Sequence, residues 1–484
     1  MKPFDDMLPE EKEPQHQELT TFLQRAYRRP VLVPPTEQGQ IIARVRERLV
    51  GADPADSYHG DLLHPQIGVF EPPQHQTVSP TAQPGPNKRP YSLIALLAAA
   101  MIIAVLVGTP LLLEPRLLST GGDTYDSFVA ANGIMFGFDA QHTHFNPFEH
   151  TLNPTSVGGL TKQWTYELGS SILSSPTVAD GVVYIGCVCG YVYALDAASG
   201  AKKWAFWTGG SQVADVPAVV DGVVYIGSLE SHTLYALDAA TGKKKWSYQT
   251  RDSIVSSPTV VGGVVYVGSD DNTLYALDAA TGARKWTYRT RGSIESSPAV
   301  AGGVVYFGSF DGNVYALDAT TGARKWTYRT GNNVYNSLAV AGGVVYVGAG
   351  DGNVYALDAT TGAKKWTYRI GGLLGPTITS PAVANGIVYV GSRGSVYALD
   401  ATTGAKKWVS SPQVAISTDP IVAGGLIYFG GGGNVYALDA TTSAKKWAYR
   451  GGGSTWDCPP VVADGVVYYG SLSGFLYAFH LPGT

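Results

Sequence analysis

The side chains most able to bind a metal are concentrated in residues 136–150. His142, His144, His150 and Glu149 lie close together there. Imidazole and carboxylate groups are common metal ligands, but a site needs three or four of them converging in space. On an extended segment His142 and His144 would share one face without an obvious third partner. We therefore expect no metal site here, and we expect the segment to pack on the rim of the domain that follows.

These residues precede a repeat that occupies the second half of the chain. The sequence from Tyr355 to Trp366 returns almost letter for letter, and successive copies are 39 to 42 residues apart. A period of about 40 residues with strand-like content is typical of a β-propeller. We predict that the Trp of each copy packs against a neighbouring repeat. These structural tryptophans are Trp164, Trp204, Trp246, Trp286, Trp326, Trp366, Trp408 and Trp447.

Each repeat contains four short runs rich in Val and Tyr, most clearly in residues 293–330. Gly, Asp or Pro bounds each run, as expected for strands A to D of one antiparallel blade. Consecutive positions of the B run, 304–307, are apolar, which predicts that other blades cover both of its faces. Asp318 and Gly322 follow the C run and predict a turn in which the glycine takes a positive φ.

The number of runs predicts how the ring closes. The C run occurs eight times, and its last copy, 477–480, is followed by no D run. Conversely, residues 160–169 form a D run that no blade precedes. The sequence therefore predicts an all-β, eight-bladed propeller of four-stranded antiparallel blades over 136–484, in which 160–169 completes the blade that begins at 457.

The D-to-A and B-to-C connections fall at one end of the propeller, here called the mouth, because the strands alternate in direction. Any binding site is expected among these connections, which repeat least. Trp456 and Asp457 form the most distinctive pair, since an indole can stack on a ring or a sugar. The alternative is that all of them are solvated loop residues. The candidate binding residues are Asp215, Asp252, Glu295, Asn332, Asn336, Asp419, Trp456 and Asp457.

The three cysteines also fall at the mouth. Cys187 and Cys189 lie in the B-to-C turn of blade 1, and Cys458 begins strand A of the adjacent blade 8. No CxxC or CxxCH sequence occurs that would indicate zinc or covalently bound haem. In an oxidising compartment we expect Cys458 to form a disulfide with Cys187 or Cys189 across the closure. The alternative is that the three are small buried residues replacing the Ser and Asp of other repeats.

The segment 91–113 contains no charged side chain. As a helix it would extend about 34 Å, enough to cross a bilayer core of about 30 Å. Lys88 and Arg89 precede it, whereas the charges of Glu114 and Arg116 cancel. The positive-inside rule therefore predicts a single-pass cell-membrane protein with a cytoplasmic N-terminus, an uncleaved signal-anchor and an extracytoplasmic propeller.

The remaining N-terminal segments flank this predicted transmembrane helix. Residues 1–51 predict a short helical hairpin, which either only precedes the anchor or docks on a cytoplasmic partner or the membrane surface. Residues 52–90 are rich in Pro and Gln and predict a disordered linker, and 114–135 predict a tether. The net charge of -4 argues against nucleic-acid binding, which requires a basic excess.

The sequence Ala-x-Asp-x-x-Thr-Gly-x-x-x-Trp, as in 316–326, resembles the docking motif of pyrroloquinoline-quinone (PQQ)-type repeats, and the resemblance extends over 136–484. It implies the propeller fold of the quinoprotein alcohol dehydrogenase superfamily, which includes both PQQ enzymes and cofactor-free scaffolds. The enzymes carry a disulfide between adjacent cysteines, a Trp beneath the quinone, calcium held by Glu, Asn and Asp, and often haem c. This chain has no adjacent cysteines and no haem-attachment sequence.

The near-identity of the blades favours a binding function, because chemistry at the mouth needs blades that differ from one another. We expect a membrane-anchored scaffold that binds an extracytoplasmic protein or polymer and holds no cofactor. A PQQ-dependent alcohol dehydrogenase using PQQ with calcium is one alternative. A ligand sensor coupled to a cytoplasmic partner is another.

Overall fold

The computed structural model describes residues 134–370, 378–392, 394–410, 416, 418–451 and 458–483. All of them belong to the second of the chain's two units, Ser119–Thr484. The hairpin, linker and transmembrane helix predicted before residue 114, and the tether as far as residue 133, lie outside the described residues. Within the described ranges no helix is both long and apolar enough to cross a membrane.

The described residues form eight antiparallel blades, each of four strands named A to D from the inside outwards. Blades 1 to 4 consist of Thr177–Ala179, Val182–Gly186, Tyr191–Asp196 and Lys202–Trp207; Ala218–Val220, Val223–Ser228, Thr233–Asp238 and Lys244–Gln249; Thr259–Val261, Val264–Ser269, Thr273–Asp278 and Arg284–Arg289; and Ala299–Ala301, Val304–Gly308, Asn313–Asp318 and Arg324–Arg329.

Blades 5 to 8 follow the same order, and blade 8 takes its D strand from the beginning of the propeller. They consist of Ala339–Ala341, Val344–Gly348, Asn353–Asp358 and Lys364–Arg369; Ala382–Ala384, Ile387–Ser392, Ser395–Asp400 and Lys406–Val409; Ile421–Ala423, Leu426–Gly431, Asn434–Asp439 and Lys445–Arg450; and Val461–Ala463, Val466–Gly470, Phe475–His480 and Thr161–Glu167. A two-residue strand, Phe145–Asn146, and a 3-10 helix, Val157–Gly159, precede them.

The predicted closure of the ring is confirmed. Strand Thr161–Glu167 pairs antiparallel with Phe475–His480, so that Trp164 lies opposite Ala478. The A strands contact one another in sequence, and the A strand of blade 8 contacts that of blade 1. They therefore surround a central channel. The B strands are buried between blades, as their apolar runs predict; Val305 and Phe307 are fully buried.

The repeated turn and its Trp act together between adjacent blades. Asp318 Oδ1 accepts hydrogen bonds from the backbone N–H of Thr320 (3.1 Å) and Thr321 (3.0 Å), and Gly322 has a φ of +72°. Trp326 Nε1 donates to Ala359 O of the next blade at 2.9 Å. The Trp thus wedges against the turn that follows, as predicted. The same bond is made by Trp164, Trp204, Trp246, Trp286, Trp366 and Trp408.

Trp447 differs because blade 8 lacks the repeated turn between strands C and D. Its ring packs edge-on against Phe479, with the ring centroids 5.2 Å apart. The 3-10 helix at 157–159 contacts the same D strand of blade 7. The interface between blades 7 and 8 therefore relies on apolar packing, whereas the other interfaces between blades use the Trp–carbonyl bond.

Candidate functional site

The mouth contains one position that recurs in every blade, twelve residues before the first glycine of strand B. In blade 4 this residue is Ser296, whose Oγ accepts a hydrogen bond from Gly308 N at 3.2 Å. The bond satisfies a backbone donor at the point where strand B ends. We call these eight residues the inner ring: Ser174, Asp215, Ser256, Ser296, Asn336, Thr379, Thr418 and Cys458.

Three of the predicted mouth residues belong to the inner ring or lie beside it. Asp215 Oδ2 accepts from Gly227 N at 2.6 Å, as the serines do. The Asn336 side chain donates to Ile378 O of the next blade. Asp419, the residue after Thr418, accepts from Ser380 N at 2.7 Å through Oδ1. These side chains brace the blades, so they are not a set of groups that converge on one ligand.

The bond made by Asp419 is one of a series that joins neighbouring blades. Val216 N donates to Ser257 Oγ (2.9 Å), Ser257 N to Ser297 Oγ (3.0 Å), and Ser297 N to Ser337 Oγ (2.9 Å). Each bond lies just before an A strand, at the mouth end of the channel. We call this series the collar. Blade 7 uses a carboxylate where blades 3 to 5 use a serine hydroxyl.

The two carboxyl groups in these positions are strongly affected by burial. Asp215 is 1% exposed, and its Oδ1 has no hydrogen-bond partner in the described part of the chain. Burial raises the pKa of Asp215 well above its ordinary value, against the bond from Gly227 N. Burial likewise raises the pKa of Asp419 to about 6, although the bonds from Ser380 lower it in part. Low dielectric disfavours the charged form in both cases.

The structure brings other predicted residues into an acidic group at the mouth of blades 3 and 4. Asp252 is exposed, and Glu295 is half-buried. The pKa of Asp270 is raised by burial and by its neighbours Asp252 and Asp271, and the pKa of Glu295 is raised by burial and by Asp270. Asn332 is exposed in the next connection. Trp456 and Asp457 lie outside the described residues.

Residues 134–149, here called the central segment, occupy the channel, so their predicted position on the rim is wrong. Ile134 pairs with Val219 of blade 2, and Phe145–Asn146 runs parallel to strand A of blade 7. Asn146 Nδ2 donates to Val462 O of blade 8 at 2.9 Å. Four carbonyl oxygens accept from A-strand N–H groups of blades 4 to 7: Ala140 from Val300 (2.6 Å), Gln141 from Val340 (2.9 Å), Thr143 from Val383 (2.8 Å) and His144 from Val422 (2.8 Å).

The reason for this position is that the A strands have backbone groups that face the channel, and the segment supplies hydrogen-bond partners for them. Glu149 completes the attachment: Oε1 accepts from Leu152 N at 2.8 Å, and Oε2 from Gly465 N at 2.9 Å. Gly465 lies in the A-to-B turn of blade 8, at the end opposite to the mouth. The segment therefore closes that end of the channel.

The histidines of the central segment are neutral, buried groups. His142 Nε2 lies 2.9 Å from Thr259 Oγ1 of blade 3, and Phe136 packs edge-on against both imidazoles. Burial lowers the pKa of His142 and of His144 to about 3. Within the described ranges no three His, Cys, Asp or Glu side chains are arranged to hold a metal ion.

A small cavity of about 40 Å3 remains between the central segment and the A strands of blades 1, 2, 7 and 8. Its lining includes His144, Asn146, Thr177 and Val462. A space of this size can hold a water molecule or two but not a tricyclic cofactor. A larger ligand does not fit into this cavity.

The predicted disulfide of Cys458 is wrong. Cys187 and Cys189 are bonded to each other, with their Cα atoms 5.1 Å apart. Cys458 is fully buried, and its Sγ lies 2.9 Å from Gly470 O. It occupies the inner-ring position of blade 8, where five of the other blades have a hydroxyl. The turn brings two cysteines one residue apart within bonding range, so the pair does not need a partner from another blade.

Whether the mouth fits PQQ with calcium depends on the oxygen atoms of the inner ring and of Asp419 beside it. Calcium needs several oxygen ligands around one point. Asp215 and Asp419 instead accept from backbone N–H groups of their own and the adjacent blade. The enzymes form a disulfide between adjacent cysteines. In this chain one residue separates the bonded pair Cys187 and Cys189, which lies in a B-to-C turn. The described residues therefore do not fit that donor set.

Sequence reasoning missed the inner ring because its residue types differ from blade to blade. The signal was present in the spacing. Aligning every repeat on the first glycine of strand B shows Ser or Thr twelve residues earlier in five blades and Asp215, Asn336 and Cys458 in the other three. No comparable signal identifies the central segment, which has no second copy in the chain.

Comparison with known families agrees with this architecture. Residues 188–333 and 291–481 match the family described as "Outer membrane protein assembly factor BamB". Residues 134–215 match "Glucose/ethanol/alcohol dehydrogenase, beta-propeller domain". The two BamB matches together extend over more than half of the chain.

Individual relatives are more distant. A segment of 72 residues is 33% identical to the 1-butanol dehydrogenase (cytochrome c) of Thauera butanivorans, but it covers 14% of this chain and 10% of that enzyme. The chain thus spans about a tenth of that relative.

Two solved structures share the fold. BamB from Moraxella catarrhalis is 22% identical, with a TM-score of 0.56 over 66% of this chain and 99% of that one. Quinohemoprotein alcohol dehydrogenase from Comamonas testosteroni is 18% identical, with a TM-score of 0.63 over 75% and 83%.

Proposed function

Because this chain belongs to the superfamily of PQQ-like repeat β-propellers, we propose that its propeller is a binding scaffold, which holds an extracytoplasmic protein or polymer at the membrane surface. The observation that supports the proposal is that contacts within the propeller occupy the channel and the inner part of the mouth. The central segment closes one end of the channel, and the inner ring and collar bond the blades to one another. What remains for a ligand is the outer surface of the mouth connections.

The distribution of variation supports the same function. The blade bodies repeat almost unchanged, whereas the connections differ in charge and size: Glu295 at the mouth of blade 4 is Val255 in blade 3 and Tyr335 in blade 5. A scaffold needs a rigid frame with variable loops, as other folds that bind through loops show. The acidic group around Asp252, Asp270 and Glu295 gives one sector of the mouth a negative charge.

The membrane attachment rests on the sequence of 91–113, which precedes the propeller. An anchor there would attach the propeller to the membrane through the predicted tether. A sensor function, in which the cytoplasmic hairpin 1–51 reports binding at the propeller, requires a coupling through this anchor and is the less economical proposal.

The experiment that tests the scaffold places a photo-crosslinking amino acid at Asn332, which is exposed at the mouth. The matched control carries the same amino acid at Thr320, which is exposed in a C-to-D turn at the opposite end. The full chain is expressed and irradiated in cells of the organism that encodes it. A discrete crosslinked product from position 332 and none from 320 is the expected result. Equal products from both positions, or none from either, would refute binding at the mouth.

A dehydrogenase remains the second candidate because two matches point to it, residues 134–215 and the 72-residue similarity to an alcohol dehydrogenase. Titration of the full chain with PQQ and calcium decides between them. A saturable change in absorbance together with alcohol-dependent dye reduction would replace the scaffold with an enzyme. Absence of both would refute the dehydrogenase, and the crosslinking experiment then tests the scaffold by itself.

A further inference from the structure

The B-to-C turn of blade 1 differs from the turns of its neighbours at two positions. Cys187 and Cys189 occupy the places that Ser309 and Asp311 hold in blade 4. The Asp311 carboxylate braces its turn, because Oδ2 accepts from Arg291 N at 3.1 Å and from the Tyr315 hydroxyl at 2.7 Å. Blade 1 has a disulfide in place of that brace.

The disulfide is not required to form the turn. Backbone bonds already hold it: Cys187 N donates to Tyr191 O (3.1 Å), Val188 N to Ser171 O (2.9 Å), and Thr208 N to Gly190 O (3.0 Å). Thr330 N donates to Gly312 O at 2.9 Å in the same way in blade 4, where there is no cysteine. A crosslink between residues only two positions apart also removes little chain entropy from the unfolded state. Stability of the fold is therefore a poor reason for its presence.

The two sulfurs have different access to solvent. Cys187 is fully buried in the core of blade 1, whereas Cys189 is half-buried at the mouth surface. The next residue but one, Tyr191, is 39% exposed, and its cross-strand partner Trp207 is 59% exposed. An attacking thiolate must approach along the line of the sulfur–sulfur bond, and Cys189 is the more exposed of the two residues, so attack at the Cys189 sulfur is favoured.

We propose that Cys187–Cys189 is a redox-active disulfide, which exchanges with a dithiol reductant at the mouth of the propeller. A thiolate of the reductant attacks Cys189 Sγ, the bond between Cys189 Sγ and Cys187 Sγ breaks, and Cys187 leaves as a thiolate that takes up a proton. The second thiol of the reductant then attacks its own sulfur in the mixed disulfide and releases Cys189 as a thiolate. The reductant is oxidised to its disulfide, and the propeller gains two electrons and two protons.

This reaction leaves the frame of blade 1 in place. The backbone bonds of the turn do not involve the sulfur atoms, and Cys187 Sγ lies 3.6 Å from Tyr191 O, where the thiol formed on reduction can donate. Cys458 is buried beneath the connection before blade 1 and takes no part. The inference is independent of the scaffold function, since it concerns one turn and needs no ligand at the remaining mouth residues.

The test equilibrates the full chain, carrying Cys458→Ser so that the buried thiol does not enter the count, with a series of reduced and oxidised dithiothreitol. Thiols are then trapped with a maleimide and assigned by mass to the peptide containing 187–189. The expected result is a single two-electron transition from no labels to two, with unchanged near-ultraviolet circular dichroism. A disulfide that opens only with loss of the folded signal, or survives a large excess of dithiothreitol, would overturn the proposal.

Two single variants identify the sulfur that is attacked. Cys187→Ser leaves the half-buried Cys189, and Cys189→Ser leaves the buried Cys187. Because exposure controls the rate of thiol modification, we expect Cys187→Ser to react with maleimide at least about tenfold faster than Cys189→Ser. Equal rates, or a faster Cys189→Ser, would refute attack at Cys189.

Discussion

The bond between Trp326 and the next blade offers a quantitative test of how the ring is held together. Ala359 O accepts two hydrogen bonds, from Trp326 Nε1 at 2.9 Å and from the Tyr306 hydroxyl at 3.0 Å. The Trp326 and Tyr306 rings lie 5.8 Å apart, and a Cβ on Gly362 would come within 2.7 Å of the indole. One Trp therefore contributes both apolar burial and one of the two donors.

The magnitudes of these two contributions can be separated. An indole buries about 200 Å2, and at about 25 cal/mol per Å2 its removal costs about 5 kcal/mol. Measured Trp-to-Ala changes in cores lie at about 3–5 kcal/mol, so we expect that loss for Trp326→Ala. Trp326→Phe keeps most of the ring and loses the donor, which should cost about 1–2 kcal/mol.

The shared acceptor predicts that the donors do not act independently. Tyr306→Phe alone leaves Ala359 O bonded to Trp326, so it should cost about 1 kcal/mol. Combining Tyr306→Phe with Trp326→Phe leaves a buried carbonyl with neither donor. The double variant should therefore lose about 1–2 kcal/mol more than the sum of the single losses.

The assay is unfolding of the full chain in guanidinium chloride, monitored by circular dichroism. The variants should share the same dependence of the unfolding free energy on denaturant concentration, so that their midpoints report stability directly. Trp326→Ala should shift the midpoint most and the two conservative single variants least. A midpoint for Trp326→Ala within error of the original, or strictly additive losses in the double variant, would refute the account of the wedge and its shared carbonyl.

Three further predictions address the turn, the collar and the membrane. Gly322→Ala should destabilise the chain by about 2 kcal/mol more than Gly302→Ala, because both glycines have positive φ but only a Cβ at 322 would meet the Trp286 ring, at 2.7 Å; equal melting temperatures would contradict this. Since the folded pKa of Asp419 is raised to about 6, its protonation stabilises the folded state at low pH and that contribution is lost as pH rises through about 4 to 6. The free energy of unfolding of Asp419→Ser should therefore equal that of the original chain near pH 4 and exceed it by up to about 3 kcal/mol at pH 7.5. Denaturant titration at both pH values measures this difference. A difference that does not grow with pH would contradict the prediction. For the membrane, a cysteine introduced at Ser57 should resist an impermeant maleimide in intact cells while one at Asn332 reacts, and labelling at 57 would reverse the predicted orientation.

The parts of the fold that sequence predicted are those determined locally and many times over. Asp318, Gly322 and Trp326 lie within one turn and one strand, so their spacing alone determines which backbone groups they meet. The closure followed from the same repetition, because a D run without a blade and a blade without a D run are complementary. Each copy of the repeat was independent evidence for the next.

The central segment and the disulfide depend on contacts that no local pattern records. Ala140 meets Val300 and Asn146 meets Val462, partners that are distant in the chain and come from different blades. His142 and His144 adopt positive φ of 56° and 53°, which is uncommon for any residue other than glycine. The disulfide depends on the geometry of a three-residue turn, whereas the positions of the three cysteines in the ring indicate only that all of them lie at the mouth.

The contacts of the central segment also depend on the number of blades. Its successive carbonyl groups meet blades 4, 5, 6 and 7, and its last residues meet blade 8. Genes with near-identical repeats lose and gain whole copies by recombination, and a ring with one blade fewer could still close edge to edge. Such a ring would leave one carbonyl of the segment without its donor and carry the others past theirs. The contacts of the central segment thus favour eight blades in a sequence whose repeats would accept another number.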